Sequence, residues 1–148
     1  MKFTDGYWML REGVTAAYPV EVLDVAPGPG TLQIHAPTQH IRHRGDLLKG
    51  PVVTVRVHAP MPDVIGVTLS HFEGEREHGP QFTVQQQPDF APQVTCADDH
   101  AQVTSGELTL RVARTGPWHL DFLAAGRTLT TSGTKAMGIM QDASGAHH

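Results

Sequence analysis

The sequence has little of several features that mark common functional classes. A single cysteine in 148 residues excludes an internal disulfide. No apolar run approaches the roughly 20 residues of a membrane helix, and residues 1–13 lack the charged-then-apolar pattern of a signal peptide. Lys and Arg number 11 against 15 Asp and Glu, and they form no basic stripe of the kind that binds nucleic acid. We therefore expect a cytoplasmic protein with neither a membrane nor a nucleic-acid partner.

Signatures of common enzyme chemistry are also missing. The sequence has no Gly-rich phosphate loop between a strand and a helix, no GxSxG elbow and no HExxH pair. No stretch keeps helical periodicity for three turns, and no internal repeat is present. At 148 residues the chain is too short for a (β/α)8 barrel of roughly 250 residues, but it suits one packed core. Residues 1–148 are thus predicted to form one all-β domain.

The chain is organised around the stretch between Val103 and Thr130. Apolar and polar side chains alternate there with a period of two, which is typical of half-buried antiparallel strands. Turn residues at 115–117 and 125–126 divide the stretch into a three-stranded meander. The face predicted to be buried carries Leu108, Leu110, Val112, Trp118, Leu120 and Phe122. Such a face must be covered by a second sheet, so we predict an antiparallel β-sandwich.

Further alternating runs supply the second sheet. They are Val20 and Val22; Leu32, Ile34 and Ala36; Val53, Val55 and Val57; and Ile65, Val67 and Leu69. The Pro-rich stretches 26–30 and 58–63 are predicted to connect strands, because a proline inside a ladder removes a hydrogen-bond donor. Residues 38–50 are either an irregular strand or a charged loop. Residues 73–89 are mostly polar loop, and residues 132–148 are predicted to be loop.

The single thiol has a structural and a catalytic interpretation. Val94 and Ala97 beside Cys96 predict a strand position in which the thiol packs as a small hydrophobe. A catalytic thiol would need a general base, and His100 is the nearest candidate. Nothing else in the sequence supports that alternative.

A group of histidines has spacings that invite a metal assignment. His35, His40 and His43 are spaced by five and three residues. His40 and His43 would share one face in a helix but not in a strand, and Pro37 disfavours a helix. Two arginines in the same segment would repel a cation. We predict no metal site and interpret the segment as a solvated, partly basic rim.

Three carboxylates in the polar segment invite a glycosidase assignment. They are Glu73, Glu75 and Glu77. No apolar side chains flank them to raise the pKa of one member, as a general acid requires. We therefore interpret them as solubilising charge.

An ordered series of short motifs gives the chain a resemblance to a known family. The series consists of Met1-Lys2, Asp5-Gly6 and Trp8; Pro51, Thr54-Val55-Arg56, Gly66-Val67, His71-Phe72 and Gly79-Pro80; Ser105-Gly106-Glu107-Leu108, Arg111-Val112, Trp118, Leu120-Asp121-Phe122-Leu123 and Gly126; and Lys135, Gly138 and Gln141-Asp142. In this order the motifs resemble the N-terminal β-domain of glycoside hydrolase family 31, and most of all that of the bacterial α-xylosidases. The resemblance implies a β-sandwich that is part of a galactose-mutarotase-like supersandwich.

The resemblance also implies that catalysis occurs elsewhere. In the family, the aspartate nucleophile and the aspartate acid/base lie on a (β/α)8 barrel that follows this domain, beyond His148. No catalytic, cofactor-binding or metal-binding residue is therefore assigned here, and neither Asp121 nor Asp142 takes a catalytic role. No cofactor is expected. The parent protein, rather than this chain alone, is expected to be the enzyme.

The implied role is that of an accessory domain. It would brace the barrel and help to shape the rim of the substrate pocket or a subunit contact. The implied partners are the catalytic barrel of the same parent chain and the α-xyloside or α-glucoside substrate of the parent. An unpaired sheet edge would also favour association into a homo-oligomer.

Two other functions fit the sequence less well. A free-standing carbohydrate-binding module would stack sugar rings on Trp8, Trp118, Tyr7 or Tyr18. Two observations argue against such a module. Trp118 alternates with predicted core residues, and Trp8 lies on a terminal strand, where packing is the better explanation of a large side chain. An aldose-epimerase-like enzyme on a related β-fold would need a chain about twice as long.

Overall fold

A computed structural model describes residues 3–5, 9–71 and 85–148. Within these ranges the chain forms thirteen strands and one short 3-10 helix. The strands are β1 Thr4–Asp5, β2 Met9–Leu10, β3 Thr15–Ala17, β4 Asp24–Gly28, β5 Thr31–Pro37, β6 Val52–Met61, β7 Val64–Ser70, β8 Gln93–Cys96, β9 His100–Ser105, β10 Leu108–Ala113, β11 Leu120–Ala124, β12 Arg127–Ser132 and β13 Ile139–Gln141. The 3-10 helix is Arg44–Leu48. No helix in these ranges is long and apolar enough to cross a membrane.

Two antiparallel sheets pack face to face, as the sequence predicts. One has the strand order β4-β5-β6-β7, and the other has the order β12-β11-β10-β9-β8. The fully buried side chains are shared between the sheets: Leu32, Ile34, Ala36, Val53, Val55 and Val57 come from the first, and Ala101, Val103, Leu110, Val112 and Leu120 come from the second. Alternation of inward apolar and outward polar residues in both sheets produces one core. The predicted antiparallel β-sandwich is confirmed.

The predicted meander is present as β10, β11 and β12. Leu110 pairs with Phe122, and the intervening loop carries Trp118, which is only 2% exposed. The second turn has two consecutive residues with positive φ, Ala125 (49°) and Gly126 (74°), which suits a tight hairpin. The register between β11 and β12 shifts by one residue, leaving Leu129 without a paired position.

The two predicted Pro-rich connections are shorter than expected. Pro27 lies inside β4 and pairs with Leu32, because β4 is an edge strand whose outer side needs no donor. Pro60 lies inside β6, where the pairing with β7 is interrupted between His58 and Met61. A proline is tolerated at such a bulge, so its missing N–H breaks no ladder bond.

The strand bounds differ from the prediction at both ends of the chain. Val20 and Val22 lie outside a strand, although the Val20 N–H donates to the carbonyl of Pro37. The predicted C-terminal loop contains β13, which pairs with β3. A strand of three residues is too short to show a period, so this distant partner could not be read from the pattern. Of the two alternatives for residues 38–50, the structure has the loop, with a 3-10 helix inside it.

The burial predicted for Cys96 is wrong. Its thiol belongs to an exposed residue at the last position of β8. Val94, two residues earlier on the same face, does pack against the core. Because β8 is a short edge strand, no strand in the described ranges pairs with its outer side.

A set of hydrogen bonds joins the two sheets at one end of the sandwich. The buried Ser105 hydroxyl donates to the carbonyl of Met61 (2.8 Å), and the Asp63 N–H donates to the carbonyl of Ser105 (3.1 Å). The Asp63 carboxylate in turn accepts the N–H of Glu107 (2.6 Å). We call this set the sheet clasp. It fixes the β6–β7 turn against the β9–β10 turn.

Candidate functional site

A small surface hollow lies where distant parts of the chain meet. It has a volume of about 240 Å³. The short pair β3–β13 supplies its apolar floor, and the rings of His71 and His147 meet edge to face across it at 4.9 Å. Gln141 and Thr15 add polar groups to the lining. The hollow therefore offers hydrogen-bonding groups beside an apolar surface.

Asp142 organises the turn that places His147 in this hollow. Its carboxylate accepts hydrogen bonds from the hydroxyl and the N–H of Ser144 (2.6 and 2.9 Å) and from the N–H of Ala146 (3.1 Å). The His148 ring lies 3.1 Å from the same carboxylate. These bonds, the Ser144 hydroxyl first and His148 next, hold the pKa of Asp142 well below its usual range. Asp142 thus has a structural role.

A second hollow is larger and carries charge. Its volume is about 440 Å³, and it lies between the segment at Glu21, the ring of His40 and the turn that follows Arg114. The Glu21 carboxylate lies 2.7 Å from His40 Nδ1 and accepts the N–H of Ile41 at 2.8 Å. Both hydrogen bonds lower the pKa of Glu21, and the bond with His40 is the larger cause. Arg114 donates from its guanidinium to the carbonyl of Ala97 at the edge of this hollow (2.9 Å).

The histidines considered for a metal have separate structural roles. His40 pairs with Glu21, whereas His43 caps the 3-10 helix by accepting the N–H of Gly45 (3.2 Å). His35 lies on β5 at a partly buried position. Among the residues that the structure describes, no three of His, Cys, Asp and Glu are grouped so that they could hold a metal ion.

Two residues considered for catalysis also have structural contacts. His100, considered as a base for Cys96, pairs instead with Asp99 at 2.7 Å. Asp121 accepts the hydroxyl of Thr131 (2.6 Å) on the neighbouring strand, and His119 lies 3.6 Å from it.

The aromatic residues considered as sugar platforms fall into three groups. Trp118 is buried in the core, as its alternation predicts. Tyr18 is half-buried next to the small pair β3–β13. Tyr7 and Trp8 lie outside the described ranges, as do the three glutamates of the polar segment.

Sequence reasoning missed the carboxylates that shape these surfaces. The Asp-x-Ser pattern at Asp142 is a local turn signal that could have been recognised. The contact of Glu21 with His40 joins residues 19 positions apart and has no local signal.

Comparison with curated proteins finds relatives that are named α-xylosidases. α-Xylosidase XylQ of Lactiplantibacillus pentosus is 36% identical over 136 residues, which cover 91% of this chain and 18% of that protein. An α-xylosidase of Emericella nidulans is 33% identical over 114 residues, which cover 76% of this chain and 14% of that protein. The chain therefore spans less than one fifth of the length of these relatives. No protein-family model matches it.

Proposed function

We propose that this chain, which belongs to the α-xylosidases of glycoside hydrolase family 31, is an accessory β-sandwich domain of a larger retaining glycosidase. One observation carries the proposal: 91% of the chain aligns with only 18% of a relative named as an α-xylosidase. A stretch of that size, with its own two-sheet core, has the anatomy of one domain in a longer protein. The parent would hydrolyse α-xylosides or related α-glucosides without a cofactor.

The architecture suits a bracing role. The core packs between two sheets, and the sheet clasp fixes their relative position at one end. A domain that holds a neighbour in place must resist shear between its own layers, and hydrogen bonds between the sheets resist it directly. We propose that the sandwich supports the catalytic barrel as a rigid body.

The second hollow has the chemistry for the rim of a sugar site. Carboxylate, imidazole and guanidinium groups donate to and accept from sugar hydroxyls. Glu21, His40 and Arg114 supply these three groups around one concave surface. We propose that this surface contributes to the substrate pocket of the parent rather than acting alone.

The test begins with the gene. If the reading frame continues past the codon for His148 into a barrel with paired aspartates, the longer protein should hydrolyse 4-nitrophenyl α-xyloside, and the 148-residue chain should not. A stop codon directly after His148 would overturn the accessory role. Turnover by the short chain would also contradict it.

The same preparation tests the binding-module alternative. We expect titration of the short chain with xyloglucan oligosaccharides to leave its tryptophan fluorescence unchanged. Trp118 is buried and is not a stacking platform, so quenching by a sugar would have to come from Trp8, the other tryptophan. Saturable quenching would favour a free-standing module.

A further inference from the structure

Residues 38–50 form a loop that presents two adjacent leucines to solvent. We call it the leucine loop. Leu48 is 91% exposed and Leu47 is 42% exposed, both on the 3-10 helix. Single exposed leucines are common, but two adjacent ones on one loop form a small apolar surface, in which Leu47 is partly covered and Leu48 almost fully exposed.

The loop is held in one conformation by its own side chains. The Asp46 carboxylate accepts the N–H of Arg42 (3.1 Å) and a hydrogen bond from the ammonium of Lys49 (2.8 Å). The amide of Gln39 donates to the carbonyl of Asp46. Asp46 itself is only 7% exposed, so the loop has a small polar core of its own. A loop braced in this way presents its leucines at little further cost in conformational entropy.

The loop is also fixed to the sandwich at its neck. The hydroxyl and the N–H of Thr38 both donate to the carbonyl of Pro51 (2.9 and 3.1 Å), closing the ends of the loop. The bonds of Glu21 to His40 and Ile41 tie its first half to the body. The leucines therefore move with the domain.

The leucine loop also carries exposed basic groups. Arg42, Arg44 and Lys49 are exposed, so three of the 11 Lys and Arg lie within one short loop of a chain whose net charge is −4. Lys49 forms an ion pair with Asp46, which leaves the loop with more positive than negative charge at its surface. The complementary surface is an apolar recess bordered by carboxylates.

We propose that the leucine loop is the contact by which this domain docks onto the rest of the α-xylosidase-type protein, with Leu48 inserted in an acid-bordered apolar recess there. The inference rests on the proposed function. More than four fifths of the length of the relatives lies outside the stretch that this chain matches, and that remainder is the occupant we assign.

Thiol labelling tests the docking directly. Cys96 is replaced by serine to remove the exposed native thiol, and Leu48→Cys is introduced into both the 148-residue chain and the longer protein. The maleimide reaction at position 48 should be at least tenfold slower in the longer protein. Leu129→Cys, at an exposed leucine of β12, is the matched control for general effects of the longer chain.

Each outcome separates the two hypotheses. An active longer protein whose introduced thiol at position 48 reacts as fast as in the short chain, or is slowed no more than the thiol at position 129, overturns the docking and leaves the proposed function intact. The thiol at position 48 of the short chain could also react slowly and then react faster when the protein is diluted. That result would assign the loop to a contact between copies of the chain, and it would also overturn the docking. Absence of a longer reading frame overturns both.

Discussion

The sheet clasp predicts that Gly106 cannot be replaced by alanine without disturbing both sheets. Gly106 has φ of 60°, in the left-handed region. A Cβ built there would lie 2.9 Å from Asp63 Cγ and 3.1 Å from the Asp63 backbone nitrogen, inside the ordinary contact distance. Alanine would therefore displace the carboxylate that accepts the Glu107 N–H. Gly126 provides a matched control, because its φ is 74° and no described atom lies within 4 Å of the corresponding position.

The expected loss in the free energy of unfolding has two parts. Placing a non-glycine residue in the left-handed region costs about 1–2 kcal/mol, and this part is common to both glycines. Loss of an exposed hydrogen bond costs about 1 kcal/mol more, and it applies to Gly106 alone. We expect Gly106→Ala to reduce the free energy of unfolding by about 2–3 kcal/mol and Gly126→Ala by about 1–2 kcal/mol.

Urea unfolding followed by tryptophan fluorescence measures both variants, since Trp118 lies in the core. Repeating the pair in an Asp63→Ala background completes a double-mutant cycle. Without the carboxylate, most of the excess cost of Gly106→Ala over Gly126→Ala should vanish. Equal losses for the two glycines in the native background, or an excess that survives Asp63→Ala in full, would refute the clasp as an energetic link between the sheets.

Three further predictions concern the core, the second hollow and the free thiol. Leu110→Ala should cost about 2–5 kcal/mol in urea unfolding, whereas Leu129→Ala should change stability by less than about 0.5 kcal/mol; similar losses would contradict the burial pattern. Glu21 should titrate below its ordinary pKa of 4.5, so its stabilising effect is complete above that pH and is lost as the pH falls through the lowered value; His40→Ala should move the carboxyl titration seen by NMR back upward, and an unmoved titration would exclude the pairing. Cys96 should react with Ellman's reagent in the folded protein without denaturant, and a thiol that reacts only on unfolding would restore the buried interpretation.

The parts of the fold that were predictable are those specified by local pattern. The meander combines a period of two with turn residues at short separations, so strand, face and partner follow from one stretch. The position of Pro60 within a strand was not predictable from local pattern. Whether a proline starts a connection or lies at a bulge depends on the neighbouring strand. Cys96 shows the same limit: its face was predictable, but its exposure depends on the strand order that puts β8 at an edge.

The polar contacts of the candidate site were less predictable than the core. Burial selects for apolar residues at a fixed period, whereas a surface contact such as Glu21 with His40 needs only two side chains that chain folding brings together. The contacts of Asp46 were more predictable, because its partners Arg42 and Lys49 lie only four and three residues away in the sequence. A local search for carboxylates near cations could have identified the leucine loop as ordered.

The edge strands of the two sheets affect how this domain can contact another domain or another copy of the chain. β4 contains Pro27, β8 has only four residues, and β12 is interrupted at Leu129. Proline, short length and a bulge are all features that discourage an edge strand from pairing with a further strand. The remaining edge, β7, has seven residues and no proline, so the association between copies that an unpaired edge would favour stays a prediction. At β4, β8 and β12, contact through side chains, of the kind that the leucine loop presents, is more favourable than strand pairing, because it requires no new backbone ladder.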